Sequence, residues 1–221
     1  MDGLFVTGTG TEVGKSVVAA VIARTAMAAG RRVAVFKPAV SGLDEGGEAD
    51  HELLRRASGS SQTEDEIAPY RYGPPVSPHL GAELVGEPID PERLRAAASA
   101  AGAVGDLLVV EGVGGFLVPL NATYLVRDLA RDLAYPVVVV APPGLGTINH
   151  TLLTVEAVRA AGLEVLAVVL TPWPREPSEV ESSNATTIEK VADVRVKRLP
   201  LIDLKQTAQW PSLALWESEA A

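Results

Sequence analysis

Apolar residues in this chain gather into short unbroken runs. Longer stretches between them repeat apolar positions at a helical spacing. The clearest runs are Leu4–Thr7, Val33–Phe36, Leu107–Glu111, Val137–Ala141 and Leu166–Leu170, each nearly continuous in Val, Leu or Ile. Continuity rather than alternation suits strands covered on both faces, as in a parallel sheet between helices. Helices are predicted over Lys15–Ala29, Ala49–Ala57, Pro91–Ala101, Tyr124–Leu133 and Thr147–Ala161. Gly30 and Gly162 supply stops for the first and last, and Asp90 followed by Pro91 is a cap-then-proline helix start. The βαβα order predicts a three-layer, doubly wound α/β fold with a mostly parallel sheet. Such folds bind ligands at the carboxyl ends of the strands. Pro69–Pro78 and Pro172–Pro177 read as loops within the domain, and Pro211–Ala221 as a loosely ordered tail.

Composition narrows the class. At 221 residues the chain suits a single α/β domain, residues 1–221, with a sizeable core. A net charge of −9, with no block of Lys or Arg, argues against a nucleic-acid surface. The lack of cysteine removes disulfides, thiolate metal sites and cysteine nucleophiles together. No apolar run approaches the roughly 20 residues that span a bilayer. The first strand begins at the N-terminus without a signal segment, so a cytoplasmic protein with no membrane partner is expected.

The most specific chemistry lies in Phe5-Val6-Thr7-Gly8-Thr9-Gly10-Thr11-Glu12-Val13-Gly14-Lys15-Ser16. A short strand enters a glycine- and threonine-rich loop that ends in Gly-Lys-Ser and opens a helix. Such a P-loop wraps backbone N–H groups, here those of Glu12 to Val17, around a phosphate. Lys15 adds charge, and the Ser16 hydroxyl can ligate Mg²⁺. Counting back from Gly14, the usual first glycine falls on Thr9, so the loop is a variant. A nucleoside triphosphate is the expected ligand.

Other strand ends carry polar groups. Lys37 follows Val33–Phe36 directly and projects a cation at the carboxyl edge of the sheet. Glu111 closes an apolar strand, where nucleotide-binding sheets place a carboxylate for Mg²⁺, and Gly112 and Gly114 let backbone approach a ligand. Asp50 opens a helix, where the dipole alone favours an acid; a metal-ligand role comes second. Gly144–His150 is a glycine-rich entry to a helix, with Thr147 as N-cap, and forms a second anion-binding helix start or a plain capped one. His51, His79 and His150 have no metal-ligand spacing and are expected in surface or packing roles.

Together, Thr7–Ser16, Lys37-Pro38-Ala39-Val40-Ser41-Gly42, Val110-Glu111-Gly112-Val113-Gly114-Gly115 and Gly144-Leu145-Gly146-Thr147-Ile148-Asn149-His150 resemble the dethiobiotin synthetase family in order and spacing. The resemblance covers most of residues 1–170. It implies a P-loop NTPase-like fold and an ATP-dependent ligase of biotin synthesis. The implied reaction takes 7,8-diaminopelargonic acid, CO₂ and ATP to dethiobiotin, ADP and phosphate through a carbamate and its anhydride with phosphate. It further implies that Lys15 and Lys37 stabilise the phosphoryl group and carbamate, with Thr11 beside the substrate. Ser16, Asp50 and Glu111 would hold Mg²⁺, and Ser41 would contact the diamine. Gly144, Thr147 and Asn149 would bind the substrate carboxylate across the interface of a homodimer.

The chain departs from the family pattern at three places. Ser16 stands where Thr is more usual, and Gly10 where many members have Asp. Thr171-Pro172-Trp173-Pro174 replaces an Asn-Asp pair that reads adenine, so Thr171 and Pro172, facing Leu199-Pro200-Leu201, would wall the base. The rival reading is a ParA/MinD-type regulatory ATPase. Its loop carries an extra lysine six residues before the P-loop lysine, and Thr9 occupies that position here.

Overall fold

The computed structural model describes residues 2–215. Among them, six parallel strands form one sheet: β1 (Asp2–Gly8), β2 (Val33–Phe36), β3 (Leu107–Gly115), β4 (Val137–Ala141), β5 (Val165–Trp173) and β6 (Val196–Pro200). Their order across the sheet is β2-β3-β1-β4-β5-β6, so the chain crosses from β1 to the edge strand β2, returns to β3 beside β1, and then steps outward through β4, β5 and β6. The doubly wound, three-layer expectation holds. All five predicted strands are present, with β1, β3 and β5 longer than their apolar runs.

Side chains alternate strictly across the sheet. Leu4 and Val6 of β1, Val33 and Val35 of β2, Leu107 and Val109 of β3 and Val138 and Val140 of β4 face one layer. That layer holds α1 (Lys15–Ala28) and α2 (Asp50–Ser58). Phe5, Ala34, Phe36, Leu108, Val110, Val137 and Val139 face the other. It contains α4 (Pro78–Val85), α5 (Pro91–Ala103), α6 (Val126–Leu133), α7 (Thr147–Ala160) and α8 (Glu179–Ala192), while α3 (Glu64–Ile67) is a single turn before α4. A helix on each face explains why these strands are apolar throughout, and period two then fixes which layer every later residue meets.

Three predicted helices, α1, α2 and α7, both begin and end within a residue of their expected positions, and α5 runs two residues further. The helix expected from Tyr124 begins at Val126, because Leu125 is its N-cap and bonds the Asp128 carboxylate through its N–H at 2.9 Å. The structure adds α3, α4, α8 and β6, which no apolar run announced. β6 reads Val-Lys-Arg-Leu-Pro and sits at the sheet edge, where only Val196 and Leu199 are buried. Glu179–Ala192 is polar on all but one narrow face, with Ala185, Ile188 and Ala192 buried. Of the tail read as loosely ordered, Leu213 and Leu215 are buried beside α1, and the Leu213 N–H donates to Thr25 Oγ1 at 2.9 Å. Residues 216–221 of that tail lie outside the described residues. No helix among the described residues is long and apolar enough to cross a membrane.

Candidate active site

The P-loop joins β1 to α1, so it lies at the carboxyl edge of the sheet between the strands that flank β1. Gly14 caps α1 with φ 92°, a conformation that favours glycine, and leaves the first amides of the helix facing outward. Gly8 explains the variant spacing. A Cβ there would lie 2.6 Å from Val13 Cγ2 and 3.0 Å from Lys15 Cγ, because both side chains fold back over it. Gly8 supplies the bare backbone that the usual pattern would place one residue later. Glu12 carries a positive φ of 58°, the strained turn of the loop. Thr11 and Glu12 are exposed, while Lys15 is buried and donates to the Gly10 carbonyl at 2.8 Å. Burial, opposed by the nearby carboxylates, holds the Lys15 pKa below the ordinary lysine value.

Alternation delivers the next groups. Lys37 continues the parity of Val33 and Val35, and Glu111 that of Leu107 and Val109, so both turn toward the α1 layer. Their strands are neighbours, and the Lys37 ammonium lies 2.5 Å from Glu111 Oε1. It is also 2.5 Å from Asp50 Oδ2. Ser16, on the first turn of α1, completes the group: its hydroxyl lies 2.7 Å from Asp50 Oδ1 and 2.8 Å from Glu111 Oε1. Lys15, Ser16, Lys37, Asp50 and Glu111, separated by up to 96 positions in sequence, thus meet at one point. Asp50 is more than a helix-start acid. The packing of α2 beside α1 brings it into the cluster.

The electrostatics follow from burial. Glu111 is fully buried, which pushes its carboxyl above the ordinary value despite the adjacent Lys37. Burial would lower the Lys37 pKa, but Glu111 and Asp50 together lift it above the usual lysine value, so the ammonium stays charged. Asp50 is held below the ordinary carboxylate value because Lys37 and Ser16 outweigh the cost of burial.

Acceptors outnumber donors in this cluster. The Ser16 hydroxyl has one hydrogen for two carboxylate oxygens, and Glu111 Oε2 is buried without a hydrogen-bond partner. An excess of hard oxygens beside a P-loop fits Mg²⁺. No group of three His, Cys, Asp or Glu placed for a metal occurs among the described residues. A cation there would take its remaining ligands from phosphate and water, the habit of Mg²⁺.

The other candidate residues are placed as follows. Gly115 of β3 pairs with Gly8, so the Gly112–Gly115 backbone runs alongside the P-loop, with Gly112 wedged between Phe5 and Val126. Thr171, at the end of β5, is buried against the loop: a Cβ on Gly14 would meet its Cγ2 at 2.8 Å. Pro172 is exposed after it. Trp173 packs on the layer opposite α1, with the Arg198 guanidinium 5.1 Å from its ring centre. Leu199 is turned into the α1-side core, which leaves Pro200 and Leu201 as the exposed part of the expected base wall. Ser41 follows Val40, which bridges to Arg71 and ties this segment to the chain before α4.

One expectation is corrected. Thr147 is not the N-cap of α7. Gly146 is, with φ 89°, and Thr147 is buried with its hydroxyl 3.3 Å from that of Thr151. A buried Thr cannot present its side chain at the helix mouth, so glycine makes the turn instead. Asn149 is exposed on the first turn of α7. His51 is buried and His79 half-buried, in keeping with packing roles, and His150 is at the surface. Sequence reasoning missed Asn184, a buried polar residue of α8 that bonds the loop before α7.

A family model described as an AAA domain matches residues 2–203. A protein of Anaeromyxobacter dehalogenans (strain 2CP-1), named ATP-dependent dethiobiotin synthetase BioD, is 45% identical over 191 residues, covering 86% of each chain. The protein of that name from Rhodococcus erythropolis (strain PR4) is 42% identical over 88% of this chain and 86% of its own. The one from Bacillus subtilis (strain 168) is 34% identical over 89% of this chain and 85% of its own. Among solved structures, the Pyrococcus furiosus cell division ATPase MinD superposes with a TM-score of 0.55 at 19% identity, over 90% of this chain and 84% of that one. That likeness establishes the fold alone.

Proposed function

The chain belongs to the dethiobiotin synthetase family, and from that premise we propose how its residues perform the family reaction. The protein is an ATP-dependent ligase that closes the ureido ring of dethiobiotin from 7,8-diaminopelargonic acid and CO₂. One amine adds to CO₂ with loss of a proton, and a carbamate oxygen attacks the γ-phosphorus as ADP leaves. The second amine then attacks the carbamoyl carbon and releases phosphate.

In this reading the P-loop amides of Glu12 to Val17 hold the phosphates. Lys15 and Lys37 flank the phosphoryl group as it passes to the carbamate. Their charges are fixed before the reaction, so they stabilise transferred charge without reorganising. The observation that carries the reading is Lys37, a second buried lysine, at the end of β2 and kept charged by Glu111 and Asp50. Ser16, Asp50 and Glu111 would hold Mg²⁺, which when bound neutralises charge on the β- and γ-phosphates. Thr11 and Ser41 stand toward the diamine, and the start of α7, from Gly144 to Asn149, takes the substrate carboxylate. We take the chain as one domain over residues 1–221, cytoplasmic and homodimeric, with the carboxylate site completed across the dimer.

Phosphate release from ATP that requires both diaminopelargonate and bicarbonate tests the whole proposal. Release indifferent to both would defeat it. For the carboxylate end, Asn149→Ala is expected to raise the KM for the diamine about tenfold, the scale of one charge-assisted hydrogen bond. The KM for ATP should hardly move. Equal changes in both constants would remove Asn149 from the substrate site.

Base selectivity should be weak. Thr171 offers one hydroxyl, Pro172 and Pro200 lack N–H groups, and Leu199 is turned away, so this end of the site has no side-chain amide to pair with adenine. GTP and CTP are expected to support turnover within roughly tenfold of ATP. Comparison of kcat/KM for the four ribonucleotides decides this, and a thousandfold preference for ATP would reveal a base-reading contact elsewhere.

A further inference from the structure

Asn184 lies in the second turn of α8, a helix begun by Ser178, whose side chain accepts from the Glu181 N–H. Asparagine is a poor helix former, and burial makes it costlier unless its amide is fully used. Here only 7% of the residue is exposed. Its Nδ2 donates to two successive carbonyls of another element, Pro143 at 2.9 Å and Gly144 at 3.0 Å. A single side-chain NH₂ has two hydrogens, and both are spent on the loop between β4 and α7.

Those two bonds fix the orientation of two peptide planes. Among the described residues the one cis peptide is Thr171–Pro172, so the Pro143–Gly144 and Gly144–Leu145 peptides are trans. In a trans peptide the N–H points opposite to the C=O. With both carbonyls turned toward α8, the N–H groups of Gly144 and Leu145 point away from it. The Gly144 carbonyl also accepts from the Thr147 N–H at 3.2 Å, which locks the turn. The amides of Gly144, Leu145 and Gly146 donate to nothing among the described residues. Gly146 has φ 89°, and Gly144 and Gly146 have no atom within 4 Å of a Cβ position, so a ligand could approach this backbone closely. The result is a row of unspent donors at the positive end of a 14-residue helix.

We infer that Asn184 is a positioning residue for substrate selection: it holds the Pro143 and Gly144 carbonyls so that the amides entering α7 face the carboxylate of the diamine acid. This rests on the proposal that the start of α7 is the carboxylate site. Asn184 acts on the loop and does not touch the substrate. It sets affinity for the acid end, far in the chemistry from the amines and the phosphoryl group.

Two variants and two substrates test it. Asn184→Ala removes both donors, and Asn184→Asp keeps the shape but turns an acceptor toward two carbonyls. Each is expected to raise the KM for diaminopelargonate about tenfold or more, with kcat within about twofold and the KM for ATP unchanged. With 2,3-diaminooctane, the same vicinal diamine without the carboxylate, kcat/KM should be equal in the variants and the unsubstituted protein. Thermal unfolding of each variant separates a positioning effect from loss of fold, and Asn184→Asp, matched in size, guards against a cavity. An unchanged KM for diaminopelargonate in both variants would overturn the inference. So would a fall in kcat/KM for 2,3-diaminooctane as large as that for the acid. Absence of diamine-dependent phosphate release by the unsubstituted protein would instead defeat the functional proposal beneath it.

Discussion

Lys37→Ala is expected to lower ring formation by ~100-fold or more while leaving ATP binding nearly intact. In the proposed reading the loop amides and Lys15 grip the nucleotide, and the substitution touches none of them. What is lost is a fixed positive charge at the end of β2, where the proposal joins the carbamate to phosphorus. Lys37→Gln should be about as poor, because the site uses charge more than reach. The loss should read as catalysis, for a reason visible in the ion pair. The fully buried Glu111, left without Lys37, can take up a proton, and burial already displaces its carboxyl upward. From an ordinary value of 4.5 the cost of doing so at neutral pH is at most about 3.4 kcal/mol. Single-turnover dethiobiotin formation, with nucleotide affinity measured alongside, checks the result. A variant with near-normal turnover would remove Lys37 from the chemistry.

Glu111→Ala should act on the fold as well as on the proposed metal site. Lys37 would then be buried with only the half-exposed Asp50 beside it. Losing one member of a buried pair costs about 3 kcal/mol or more, because an uncompensated charge remains inside. An ammonium is also harder to neutralise than a carboxyl near neutral pH, its ordinary value being 10.5. For a chain of this size the expected fall in Tm is roughly 6–12 °C. Replacing both partners, as Lys37→Met with Glu111→Leu, should restore most of that stability while leaving the protein inactive. Denaturant unfolding of the two singles and the double gives the coupling directly. If Glu111→Ala is as stable as the unsubstituted protein, water reaches the pair and the burial argument fails.

Those parts of the protein that rest on local periodicity are legible in the order of its residues. Continuous apolar runs placed β1 to β5, and helical spacing placed α1, α2, α5, α6 and α7. Because those strands are covered on both faces, they also showed that Lys37 and Glu111 stand at the carboxyl edge of the sheet. The P-loop was legible for the same reason: strand, turn and helix start adjoin in sequence, and the helix dipole needs no distant partner. Gly8 was the exception within it, since only the fold-back of Val13 and Lys15 shows why glycine stands there.

Tertiary structure decided the rest. Asp50 looked like an ordinary helix-start acid until the packing of α2 against α1 set it beside Ser16 and Lys37. β6 and α8 escaped notice because an edge strand and a mostly exposed helix bury too little to leave an apolar run. Asn184 gave no signal at all, its two acceptors lying 41 and 40 residues earlier in the chain. Periodicity records which face of an element is buried. It does not record which two elements share that burial, and hydrogen bonds between distant segments form only where the layers of the fold bring them within about 3 Å.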